Sequence, residues 1–157
     1  MRWIPFLFLL IFQSCNAQKK TMSNTNFVTP FEVNKNTTAT YKEMIDFYTK
    51  LSSSYSQLQL KTHGSTDSGL PLHTAVLSLD GDFDPQSIRK KNKRIIFVNN
   101  AIHAGEPCGV DASMMLLRNY LEDKSLQKFL EHTVIVVIPM YNPVSYTHLT
   151  LPTICSV

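Results

Sequence analysis

The strongest constraint on the fold is a strand, helix, strand order in the second half of the chain. Ile95-Ile96-Phe97-Val98 is a continuous apolar run, and Thr133 to Met140 is a second, rich in β-branched residues. Between them Val110, Met114, Leu117 and Leu121 recur at helical spacing, which predicts a helix from about 109 to 123. Continuous apolar strands suit a sheet covered on both faces, and a strand–helix–strand unit implies a parallel crossover. The expected class is therefore α/β, with both runs inside the sheet. The Thr133 to Met140 strand is expected to find further neighbours beyond residue 143.

The first half supports the same class. Thr40 and Glu43 form a capping box at the start of a helix whose apolar stripe is Tyr41, Met44, Ile45, Tyr48 and Leu51. Leu58 to Thr62 and Leu72 to Leu79 read as strands around a Gly64–Gly69 turn. A polar loop from Asp80 to Asn92 follows, and Leu126 to Leu130 adds a short helix.

The ends differ in character from the middle. Arg2, the apolar stretch Trp3 to Phe12 and the small residues near Ala17 form an export-signal pattern, too short to span a bilayer. Cleavage after Ala17 gives a soluble exported protein, whereas cleavage before Cys15 leaves a lipid anchor there. On this reading 1–17 is a signal peptide, 18–27 a linker and 28–143 the folded part. Residues 144–157 lack strand or helix periodicity and are expected to be a foreign tail. The protein is expected to be exported, periplasmic or extracellular, with no transmembrane segment in the mature chain. Its net charge is only +3, and the basic run Arg89 to Arg94 flanks a strand. That is too narrow a face for nucleic-acid binding. With Cys15 and Cys155 at the ends, Cys108 has no partner for a disulfide framework.

Ligands of open α/β sheets sit beyond the carboxyl ends of the strands. The segment in that position is Asn99 to Gly109, where His103 and Glu106 are held between the chain breakers Gly105 and Pro107. On a tight turn the two side chains can converge on one point at about 2 Å, as tetrahedral zinc requires of nitrogen and oxygen ligands. A catalytic zinc of this kind takes two histidines and one glutamate and keeps a fourth position for water. The bare His-x-x-Glu pattern occurs often by chance. Asn99 and Asn100 are expected to hold the turn by side-chain hydrogen bonds, and Cys108 to be a small buried residue behind it. His63, His73 and His132 have no partner at ligand spacing.

The run from Ile102 through His103, Glu106, Pro107, Cys108 and Gly109 to Ala112 resembles the first zinc-binding motif of the M14 metallocarboxypeptidases. Gly64 to Gly69, Leu70 to His73 and Ile138 to Asn142 also resemble exported bacterial members, so the similarity spans about 28–143. The resemblance implies a truncated zinc-carboxypeptidase-like fold with a mixed or parallel sheet and flanking helices. It implies Zn2+ as cofactor, His103 and Glu106 as metal ligands, and peptide or protein C-termini as substrate. It also implies that the second histidine ligand, the carboxylate-binding arginine, the tyrosine and the catalytic glutamate follow residue 143, leaving no catalytic residue in 1–143. Two other functions are open: a zinc deacylase of the same type, and an exported binding domain without catalysis. The intact His103 and Glu106 argue against the second.

Overall fold

The computed structural model describes residues 27–103 and 105–143. The export signal, most of the linker and the expected foreign tail lie outside the described residues, as do Cys15, His148 and Cys155. Elements follow in the order α1 (Pro30–Val33), α2 (Tyr41–Ser54), β1 (Leu58–Ser65), β2 (Pro71–Leu77), α3 (Pro85–Lys90), β3 (Arg94–Asn99), α4 (Cys108–Glu122), α5 (Lys124–Gln127) and β4 (Thr133–Ile138). A single 3-10 turn, Lys128–Leu130, joins α5 to β4.

The strands form one mixed sheet in the order β1-β2-β4-β3. β1 and β2 are an antiparallel hairpin, β2 runs antiparallel to β4, and β3 runs parallel to β4. The strand–helix–strand reading is therefore correct in its parallel pairing. Thr40 accepts from the Glu43 N–H while the Glu43 carboxylate accepts from the Thr40 N–H, so the expected capping box starts α2. Met44, Phe47, Tyr48 and Leu51 of α2 meet Val110, Met114, Leu117 and Leu121 of α4 over Ala75, Leu77, Ile135 and Val137 of the sheet. Two helical stripes and one sheet face thus make the core.

Two short helices replace what reads as loop. Asp84 accepts from the Ser87 N–H and Pro85 occupies the first turn, which is enough to start α3. Lys91 and Lys93 of the basic run then turn back onto Asp80 and Asp82. Lys93 and Lys91, with the Ser78 hydroxyl, hold the Asp80 carboxyl well below the usual carboxylate range. Two cations of the run, Lys91 and Lys93, thus brace the loop that carries Asp80 and Asp82.

The other short helix, α1, belongs to a segment strapped across α4. Asp111 is buried and accepts from the Thr38 hydroxyl and from the N–H groups of Phe31 and Ala39. About two turns further along α4, Arg118 donates to Glu32 at 2.6 and 2.9 Å and to the Phe27 carbonyl at 2.7 Å. Burial disfavours the charge of Glu32, but the Arg118 guanidinium and the Thr29 N–H outweigh it and lower its pKa.

The placement of the apolar strands differs from the sequence expectation. β4 is, like β2, an interior strand with neighbours on both sides, both of them supplied before residue 143. β3 is the edge. Ile95, Ile96 and Phe97 are about half exposed, so both faces of β3 are open; only Val98 packs against the core. An apolar run records that a strand is built to be covered, and here α2 and α4 lie over β1, β2 and β4 but leave β3 bare. Among the described residues no helix is long and apolar enough to cross a membrane.

Candidate metal centre

The segment after β3 reaches its turn through two unusual residues. Asn100 is buried, and its N–H donates to the Ile138 carbonyl, extending the parallel pairing by one step. Ala101 then adopts φ 50°, a left-handed conformation that costs a non-glycine residue roughly 1–3 kcal/mol and needs outside support. The support is β4's continuation: Tyr141 N–H donates to the Asn100 carbonyl and Asn142 N–H to the Ala101 carbonyl. The chain is thereby turned away from the sheet edge toward α4. Gly105 at φ 80° makes the second bend without side-chain cost, and Pro107 precedes the first turn of α4.

His103 and Glu106 project from this turn into solvent, with side chains 74% and 62% exposed. His103 Nδ1 lies 3.1 Å from Glu106 Oε2. The two groups hydrogen-bond directly at this distance, which is also near the roughly 3.3 Å that two bonds of about 2.0–2.1 Å at a tetrahedral angle would set between ligand atoms. Among the described residues no cluster of three or more His, Cys, Asp or Glu side chains could enclose an ion. The turn brings together one imidazole nitrogen and one carboxylate oxygen, with no third side chain of these types beside them among the described residues.

The remaining site expectations divide. Asn100 holds the turn, donating through its amide to Ser113 Oγ at 2.8 Å, but Asn99 Oδ1 is buried with no hydrogen-bond partner. Cys108 is exposed, not buried behind the turn: as the first residue of α4 it faces away from the core side carried by Val110 and Met114. His63 bonds to Thr74 Oγ1, and His73 lies against the Tyr41 hydroxyl, 3.3 Å away; burial lowers the His73 pKa. The two histidines lie close enough for His63 to add to that lowering, but no third His, Cys, Asp or Glu joins them among the described residues. Sequence reading missed Ser113 and the depth of Asp111. Ser113 had no motif to mark it, and Asp111 showed only as an acidic residue in the first turn of a helix.

Solved structures share this arrangement of strands and helices. A carboxypeptidase A from Helicoverpa armigera superposes with a TM-score of 0.60 at 15% identity, over 70% of this chain and 26% of that one. A putative carboxypeptidase from Burkholderia mallei gives 0.56 at 17% identity, over 70% of this chain and 27% of that one. Bovine thrombin-activatable fibrinolysis inhibitor, solved in complex with a tick carboxypeptidase inhibitor, gives 0.52 at 16%, over 70% and 33%. At such identities the likeness shows the fold, and the chain spans roughly a quarter to a third of the length of these relatives. No curated protein matches the chain in sequence. The zinc carboxypeptidase family model, Peptidase M14, matches residues 44–149. The chain belongs to that family.

Proposed function

We propose that this chain carries the first metal-binding segment of a zinc-dependent carboxypeptidase that releases C-terminal residues from peptides. One observation carries the reading: His103 Nδ1 and Glu106 Oε2 are 3.1 Å apart on an exposed turn at the carboxyl end of β3. Family membership supplies the metal and the reaction class. Bound there, zinc would polarise a scissile carbonyl and lower the pKa of a coordinated water. The work of this chain's own residues is to hold one nitrogen and one oxygen at fixed separation. Gly105 supplies the bend between them, and Pro107 fixes the backbone just before the helix. Both side chains face solvent, which leaves the remaining coordination positions open to a third protein ligand and to substrate. The export pattern of residues 1–17 supports a protein acting outside the cytosol.

The test is release of C-terminal amino acids from a peptide panel by the protein expressed from its complete gene. Zinc-dependent release, lost by at least about 100-fold in His103→Ala and Glu106→Ala, is the expected result, since loss of a ligand should exceed the 10–100-fold typical of the groups behind ligands. Equal turnover in wild type and both variants sinks the assignment.

A further inference from the structure

We propose that Asn100, Gly109 and Ser113 form a latch that sets the position of the metal-binding turn, with Asn100 as its positioning residue. The proposal rests on the zinc reading only for its functional meaning; the latch itself stands on the following geometry.

The turn has to be held at two ends, because β3 stops at Asn99 and α4 begins at Cys108. At the strand end Asn100 is tied by its backbone to β4, through its own N–H to Ile138 and its carbonyl from Tyr141. Its side chain reaches the other end: Nδ2 donates to Ser113 Oγ, between two side chains that are both buried. One residue therefore joins the sheet to the helix across the turn that carries His103 and Glu106. A buried amide with this partner cannot swing away without leaving the Asn100 donor unpaired, at a cost of about 1–3 kcal/mol.

Gly109 completes the latch by being absent of side chain. A Cβ built on it would lie 2.6 Å from Asn100 Oδ1 and 3.2 Å from Asn100 Cγ. The Asn100 amide oxygen thus occupies the place a Gly109 side chain would take, closer than any other residue type permits. Elsewhere Gly105 has nothing within 4 Å, so its glycine serves backbone conformation, whereas Gly109 serves contact. The left-handed Ala101 has its carbonyl held by Asn142 N–H, next to the latched residue. Releasing Asn100 would free Ala101 to relax toward an ordinary conformation and carry His103 with it.

Three variants of the complete protein separate positioning from folding. Gly109→Ala introduces the clash, Ser113→Ala removes the acceptor without a clash, and Gly109→Ala with Asn100→Ala relieves the clash but leaves no latch. Two quantities are read on each: amide hydrogen exchange without metal, and zinc affinity by chelator competition. The latch predicts exchange at Tyr141 and Asn142 faster by about tenfold in all three, with Val134 to Val137 of β4 unchanged. It also predicts zinc affinity lower by about 10–100-fold, the range for groups that orient ligands. The double variant should regain part of the melting temperature lost in Gly109→Ala, the part due to the clash, while its zinc affinity stays low. Unchanged exchange at Tyr141 and Asn142 in Ser113→Ala and in the double variant overturns the latch, and so does zinc affinity that recovers along with the melting temperature. Should Gly109→Ala fail to fold, the other two variants decide. A wild type that binds no zinc overturns the metal reading instead, and the exchange pattern still decides the latch.

Discussion

β3 and β4 are neighbours of nearly the same composition and opposite circumstance. They run parallel in register, Ile96 opposite Ile135, yet Ile135 is 3% exposed and Ile96 is 49%. The difference comes from position: β4 has β2 on its other side and two helices over one face, and β3 has a neighbour on one side only. Parallel sheets are stable when both faces and both edges are covered. An edge of apolar residues with unpaired backbone groups is a template for another strand. The chain spans 26% of the length of the Helicoverpa armigera carboxypeptidase, and a longer chain of that kind has ample material to cover β3. The functional turn is anchored to both strands, since it leaves β3 and is pinned by the residues that follow β4.

The comparison breaks first on a matched pair of truncations. Ile135→Ala should cost about 2–5 kcal/mol, because it opens a cavity in a fully packed site. Ile96→Ala at the same register should cost roughly 1 kcal/mol or less, because its side chain stays half hydrated in the folded state. Chemical denaturation of both variants measures the difference. Similar losses at the two positions would mean that β3 is covered in solution.

A smaller effect separates the buried helical side from the sheet edge by pH. The Arg118–Glu32 pair lies against α4, and Glu32 has a folded-state pKa below its ordinary 4.5. Its contribution to stability is complete above that value and is lost as pH falls through the lowered folded value. Arg118→Met should therefore flatten the acid limb of a stability–pH curve below about 4.5. An acid limb of unchanged steepness would remove the pair from the account.

The smallest change in stability should follow Phe97→Lys, within about 0.5 kcal/mol, since the ring is 59% exposed. Its effect should show in association. Sedimentation at rising concentration should find less self-association than in wild type, because an edge lysine opposes strand addition. Undiminished association would place the sticky surface elsewhere.

How much of this was legible in the sequence depends on range. The Thr40–Glu43 cap, the stripes of α2 and α4 and the parallel β3–β4 unit are local patterns, and each was readable. The apolar run of β3 was readable as a strand, but its edge position depends on sheet order, which apolarity does not encode. The His103–Glu106 pair was marked by its spacing and by the breakers around it. Ser113 and Gly109 were not, because a serine and a glycine near a helix start carry no signal until Asn100, brought from the strand end, lies against them. α3 was hidden in polar residues whose only sign was Asp84-Pro85.

X-ray absorption at the zinc edge of the metal-loaded protein, expressed from its complete gene, tests the central assignment most directly. The expected spectrum has nitrogen and oxygen neighbours at about 2.0–2.2 Å with imidazole scattering. Imidazole scattering should weaken in His103→Ala, and an oxygen should be lost in Glu106→Ala. Spectra of both variants that superpose on the wild type would show that zinc binds elsewhere and that this turn is not its site.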